Sequence, residues 1–339
     1  MSEPAQKKKS NVAVIGTGSW ATALLKLIQL NDHVVHWYVP DEQRRQDIKN
    51  HGRNNKYLSI LELDTQVIEF HSDIKECIDS CEYILLSIPS HFLASQLQGL
   101  NSENLKGKKI ISAIKGIIPR ENELISLYLI NHFQVSLENL IVLSGPSYAE
   151  EVASGRETYI TLAGNNQELA KEVSGLIQRA YIHISFSKDL KGIELSAVLK
   201  NVYAIACGIC NSLGYGDNFQ AVLVSESVRE MKKILETVFP DKSRHVLSNV
   251  YLGDLLVTAY SQFSRNRSFG NMLGKGYSAK LALMEMTMVP EGYYIVEPLH
   301  ELLQKRAVEA PIVNAVYHIL HEGISPHVEI KILSSKISN

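Results

Sequence analysis

Residues 11–39 read as strand, glycine turn, helix and strand. The run NVAVIG (11–16) is apolar, β-branched and ends on glycine. SWATALLKLIQL (19–30) follows with helical spacing, and HVVHWYV (33–39) is a second strand stopped by Pro40. At the first junction Gly16, Gly18 and Ala21 spell GxGxxA. Such a string alone is weak evidence, and a plain glycine turn is the competing reading. Here the strand before it, the helix after it and the second strand supply the context of a dinucleotide-binding turn. Gly16 permits the tight turn, Gly18 lets backbone approach a pyrophosphate, and Ala21 lets the helix pack closely on the strand. The helix start then offers unpaired N–H groups and a positive dipole end to phosphate.

Further strands are expected at 65–70, 82–88, 108–114, 140–145, 158–164 and 181–187, with helices between most of them. That alternation implies a mainly parallel sheet covered on both faces, the later strands forming a mixed or antiparallel extension. From Ile193 onward the spacing is helical. The expected fold is therefore α/β: a Rossmann-type, doubly wound, mainly parallel sheet followed by an all-helical C-terminal domain. The boundaries are a tail over 1–10, a dinucleotide-binding domain over 11–192 and a helical substrate domain over 193–339. A chain of 339 residues accommodates about two domains.

Charge narrows the function. The chain has 34 Lys plus Arg against 36 Asp plus Glu, so it lacks the basic excess of a protein that binds nucleic acid through bulk charge. The longest uncharged stretch, Leu195–Gly216, is interrupted by Lys200, and no membrane insertion is expected. Three lysines in MSEPAQKKKS precede only a short apolar run, which reads as an exposed tail and not as a signal peptide; the expected compartment is the cytoplasm. Four cysteines are too few for a disulfide scaffold. Cys207 and Cys210 lie within an apolar helix, Cys77 and Cys81 are far away, and no histidine spacing supports zinc, so no metal is expected.

Asp41 lies 23 residues after Gly18, near the offset at which an acidic group binds a ribose hydroxyl and repels a 2′-phosphate. The same aspartate beside Pro40 also reads as an ordinary turn residue. Arg44 and Arg45 follow closely, so the choice between NAD and NADP stays open.

Lys200 is the only charged residue between Glu194 and Asp217. Its helical neighbours are Ser196, Ala197, Tyr203 and Ala204. An ammonium there is costly to bury unless paired, and desolvation lowers its pKa toward the range useful for proton transfer. A snorkelling lysine at the helix edge is the bland alternative. Lys115 ends a strand, where open parallel sheets bind ligands, although a turn lysine is equally compatible. Arg265, Asn266 and Arg267 in SRNRSFG suit phosphate recognition or a solvated face. Asp254, inside the apolar run LGDLL, needs a partner, plausibly a lysine.

In order, GTGSWATALL (16–25), IPSH (88–91), IKG (114–116), SGPSYAEE (144–151), LKNVYAIACG (199–208), GYGDN (214–218), LGDL (252–255), SRNRSFG (264–270) and PEGY (290–293) resemble the bacterial NAD(P)-dependent glycerol-3-phosphate dehydrogenases. The resemblance implies interconversion of sn-glycerol 3-phosphate and dihydroxyacetone phosphate, with NAD or NADP as cofactor, supply of glycerol phosphate for phospholipids, and a homodimer. It implies cofactor contacts at Ser19, Trp20, Lys115, Ala149, Arg265, Val289 and Glu291. It implies substrate contacts at Lys115, Gly145, Ser147, Asp254, Ser264, Arg265 and Asn266, and makes Lys200 the proton acceptor. Departures are Ala21 for a glycine, Tyr251 for the glycine before LGDL, Phe219 and Gln220 after GDN, and the missing Arg or His after the second strand. The alternatives are a related dehydrogenase of another hydroxy acid or sugar, and a dinucleotide sensor without catalysis.

Overall fold

The computed structural model describes residues 9–337, so most of the expected tail lies outside it. Ten strands form in chain order: β1 (Asn11–Ile15), β2 (Val34–Tyr38), β3 (Ile68–His71), β4 (Tyr83–Leu86), β5 (Lys109–Ser112), β6 (Ile117–Ile118), β7 (Glu123–Leu124), β8 (Leu140–Ser144), β9 (Thr158–Ala163) and β10 (Ile182–Ser187). Eight make one sheet in the order β10-β9-β8-β5-β4-β1-β2-β3, while β6 and β7 pair as a separate small hairpin. Only β8–β9 is antiparallel in the large sheet, and β10 then runs parallel to β9, which gives the mixed extension expected from the sequence.

The helices of the first half are α1 (Ser19–Leu30), α2 (Glu42–His51), α3 (Ile74–Asp79), α4 (Ser90–Gln96), α5 (Ser102–Leu105), α6 (Ile125–Phe133), α7 (Ala149–Ala153) and α8 (Gln167–Ile177). They cover both sheet faces because the strands are apolar on both. In β1, Val12 and Val14 point into one core with α1 and α8. Ala13 and Ile15 point into the other, which continues past α6 into the helical half. That shared core joins the two halves without a linker.

The second half comprises α9 (Leu190–Ser212), α10 (Gly216–Val238), α11 (Asp254–Tyr260), α12 (Arg265–Gly274), α13 (Ala279–Glu285), α14 (Glu291–Lys305), α15 (Pro311–His321) and α16 (Pro326–Ile337). No strand follows β10 among the described residues. α9 is the axis of this half. The Asp189 side chain accepts a hydrogen bond from Gly192 N at 3.1 Å and caps its start. By length and hydropathy, α9 is the one described helix able to cross a membrane, but its apolar stretch is wholly buried inside the protein. α12 lies directly on it. A Cβ at Gly208 would collide with the carbonyl of Arg267, and one at Gly270 with the carbonyl of Ile205, so these two helices touch backbone to backbone.

Three departures from the resemblance have local roles. Tyr251 directs its hydroxyl to Asp189, the residue that also takes Arg244 Nε at 2.6 Å. Gln220 Nε2 donates to the carbonyl of Cys207 at 2.8 Å, fastening α10 to α9. Phe219 packs on Tyr215, ring centroids 4.7 Å apart. All four cysteines are buried and free.

Candidate active site

The glycine turn is held from beneath. Trp37 Nε1 donates to the carbonyl of Gly16 at 2.7 Å, and Gly16 sits at φ 138°, a conformation that favours glycine. A Cβ there would strike the carbonyl of Ser87 at the end of β4. Gly18, by contrast, faces open space. It occupies the N-cap of α1 with no side chain closing the helix start, so the first-turn N–H groups are free for an anion. The indole Nε1 of Trp20 is buried beside them with no partner. An uncapped helix start, an open glycine and an orphaned donor together fit a pyrophosphate-bearing cofactor.

A cleft of about 990 Å³, its open mouth included, runs from this turn to α9, α11 and α12. Of the residues singled out in the sequence, Gly18, Ser19, Trp20 and Ala21 line it on the sheet side, with Lys115, Ser147 and Ala149. Lys200, Asp254, Ser264, Arg265, Asn266, Val289 and Glu291 line it on the helical side. Gly16 lies beneath the turn. Gly145 also stands behind the wall: at φ 119° it turns the chain after β8, and its carbonyl accepts from Ser147 Oγ at 3.0 Å.

Asp41 is elsewhere. Its carboxylate caps α2 by accepting Arg44 N at 2.9 Å, the turn role being the one this geometry displays. Arg44 folds back instead, donating from Nη1 to Thr17 Oγ1 at 2.8 Å inside the glycine turn. A guanidinium thus stands where the resemblance leads one to expect a basic residue, supplied from the first turn of α2 and not from the strand end.

At the centre Lys200 forms an ion pair with Asp254, and both are buried. Lys115 Nζ is 3.9 Å from the other oxygen of the same carboxylate. Burial pushes the Lys200 ammonium well below the ordinary lysine range; Asp254 opposes this and Lys115 reinforces it. Asp254 gets its place from a π-helical turn, Asn249–Gly253, that runs straight into α11. Oδ2 of Asp254 has no hydrogen-bond partner. Beside the pair, burial lifts the Glu291 carboxyl to about 7, against the pull of Arg265, Lys115 and Lys200.

Asn201 is a site residue that the sequence reading passed over. Its Nδ2 donates to the carbonyl of Lys115 at 3.1 Å, and its Oδ1 accepts from Asn266 Nδ2 at 2.9 Å. Asn266 Oδ1 in turn accepts Gly292 N at 2.9 Å. This chain of amides ties the sheet end to α9, α12 and α14. It also commits much of the Asn266 side chain internally. Arg267 points away from the cleft, toward Asn211 Oδ1 at 3.4 Å. Tyr148, also passed over, lines the cleft, and burial holds its hydroxyl up to about 12 despite nearby Ser264, Thr258 and Ser261. Position immediately after Lys200 in LKN was the only sequence signal for Asn201; Tyr148 had its place in SGPSYAEE.

Comparison with known proteins agrees along the whole length. Residues 11–170 match the N-terminal model of NAD-dependent glycerol-3-phosphate dehydrogenase, and residues 189–331 match the C-terminal model. The chain belongs to the NAD-dependent glycerol-3-phosphate dehydrogenase family. It is 35% identical to the glycerol-3-phosphate dehydrogenase [NAD(P)+] of an Exiguobacterium species, covering 95% of this chain and 94% of that one. Identity to the Macrococcus caseolyticus enzyme is 33%, covering 96% and 98%. The crystal structure of glycerol-3-phosphate dehydrogenase from Coxiella burnetii superposes with a TM-score of 0.89 at 29% identity, covering 96% of this chain and 98% of that one. As a glycerol-3-phosphate dehydrogenase family member the chain is an NAD(P)-linked oxidoreductase, and the cleft between its sheet and its helices is where such chemistry has the groups it needs.

Proposed function

We propose that this chain interconverts sn-glycerol 3-phosphate and dihydroxyacetone phosphate. The observation that carries this reading is the buried Lys200–Asp254 pair, set between an open dinucleotide turn and the Arg265 guanidinium. In this reading residues 11–192 are the cofactor half and 193–339 the substrate half, a boundary that falls inside the first turn of α9.

The glycine turn would hold a nicotinamide cofactor, which when bound would supply hydride-transfer chemistry. Everything else falls to the chain. Lys200 gives its proton to the ketone oxygen in reduction and takes it from the hydroxyl in oxidation, a role suited to an amine whose charge burial has made easy to lose. Asp254 orients Lys200 and keeps part of it protonated. Lys115 faces the developing alkoxide and stabilises its charge. Arg265, with Ser264 and the remaining amide hydrogen of Asn266, holds the phosphate, so that binding energy from this remote group positions the carbon that reacts. Gly145 shapes the loop that presents Ser147 to the substrate. On the cofactor side, Gly16, Gly18, Ser19, Trp20 and Ala21 would hold the pyrophosphate, and Ala149, Val289 and Glu291 would make further cofactor contacts. Asp41 positions Arg44, which would stand ready for a ribose or its 2′-phosphate and so favour use of NADPH alongside NADH.

The pathway role is supply of glycerol phosphate for phospholipids. The reading includes a cytoplasmic location, in keeping with four free cysteines, and a homodimer, in keeping with the family resemblance. The test is loss of NADH absorbance on adding dihydroxyacetone phosphate to purified protein. A folded chain that binds NADH yet leaves the absorbance unchanged is a dinucleotide sensor, and the proposal fails.

A further inference from the structure

A second cluster lies outside the cleft, on the edge of the sheet. His36 on β2 is the direct register partner of Glu69 on β3, and His71 is two residues further along β3 on the same face. His36 Nδ1 stands 3.1 Å from His71 Nε2 and 3.3 Å from Glu69 Oε2, and the three donor atoms all lie within 4.8 Å of one another. We propose that His36, Glu69 and His71 form a binding site for a divalent transition metal ion of the zinc type, with water in the fourth position.

Chemistry and geometry both point this way. Two imidazoles and a carboxylate are a donor set that zinc takes readily. Tetrahedral bonds of roughly 2.0–2.1 Å put neighbouring ligand atoms about 3.3 Å apart, close to the two separations found here. His36 Nδ1 faces both His71 Nε2 and Glu69 Oε2, and a dication satisfies all three lone-pair donors at once. Access is open, since Glu69 is exposed, His71 half-buried, and β3 is the last strand of the sheet. One feature limits affinity. His36 Nε2 is buried without a partner, so a ring bound through Nδ1 has no acceptor for its other proton. The orienting contact that strengthens most histidine ligands is missing, and a dissociation constant on the order of micromolar is expected. An ion here ties the edge strand to β2 and makes the stability of this edge depend on metal.

The experiment is calorimetric titration of chelator-stripped, full-length protein with Zn²⁺, paired with thermal unfolding. One site per chain is expected, with a zinc-dependent rise in unfolding temperature. His71→Ala and Glu69→Gln, both at the open edge, are chosen because substitution of buried His36 risks the fold. His71→Ala is expected to weaken zinc at least tenfold and Glu69→Gln several-fold, each variant unfolding like the parent when metal-free. If the parent takes up no zinc, or if His71→Ala binds it as tightly as the parent, the site does not exist.

Discussion

Arg265 Nη2 donates to Ser19 Oγ at 2.7 Å, a hydrogen bond between residues 246 positions apart. It joins the first turn of α1 to the first turn of α12. On the proposed reading, one guanidinium reaches both cofactor and substrate. Arg265→Lys keeps the charge but loses the fork geometry that reaches two partners. We expect kcat/KM for dihydroxyacetone phosphate to fall about 10–100-fold, mostly through KM, since a hydrogen bond to a charged group contributes about 1.5–3 kcal/mol. Steady-state kinetics at several NADH concentrations check this, and an unchanged KM removes Arg265 from phosphate binding.

The lowered pKa of Lys200 gives opposite pH limbs in the two directions. Reduction needs the protonated amine, so its rate falls as pH rises through the depressed value; oxidation needs the free amine and rises over the same interval. Asp254 raises the Lys200 value, so Asp254→Asn moves both limbs to lower pH. Lys200→Ala removes the limbs and cuts turnover by roughly 10²–10⁴-fold, while NADH binding stays near that of the parent. pH–rate profiles together with fluorescence titration of NADH decide the matter. A near-normal rate in Lys200→Ala rules the amine out of the chemistry.

On the proposed reading, cofactor choice turns on Arg44. With Asp41 engaged as a helix cap, Arg44→Ala is expected to raise KM for NADPH about tenfold or more and to change KM for NADH little, in line with loss of a charge-assisted phosphate contact. Equal losses with both cofactors would mean that Arg44 only braces Thr17.

Glu194 is fully buried, accepting the backbone N–H of Ser126 at 3.0 Å and the hydroxyl of the same residue. Burial lifts its carboxyl to about 7. Because the folded value lies above the unfolded one, its contribution to stability is complete below the ordinary carboxylate pKa and is lost as pH rises through about 7. The full swing is about 3 kcal/mol. Glu194→Gln, which cannot ionise, should flatten that part of the curve. Unfolding temperatures at pH 5 and pH 8 test it: the parent should lose more than the variant.

The parts of this molecule that the sequence made legible are those encoded locally. The GxGxxA turn and α1 follow from adjacent residues, and Lys200 gave itself away as a lone charge in an apolar helix. Residues whose meaning depends on distant partners were hidden. Asn201 matters through the carbonyl of Lys115 and the amide of Asn266, neither of which is its sequence neighbour. Arg44 and Arg45 only left the cofactor choice open in the sequence; the fold of α2 is what brings Arg44 onto Thr17. The hairpin of β6 and β7 went unseen because two-residue strands carry no alternation to detect. His36, Glu69 and His71 escaped because strand register, not spacing along the chain, brings them together.

The contact of α9 with α12 through Gly208 and Gly270 works as a fixed ruler. Lys200 and Asn201 stand on one helix and Arg265 and Asn266 on the other. With main chain pressed on main chain, no side chain can shrink to let the pair slide. On the proposed reading, the span from the Arg265 clamp to Lys200 is therefore fixed, and a substrate longer by one carbon is expected to miss one end or the other. Widening what this cleft accepts would require exchanging the clamp itself, since the helices offer no play.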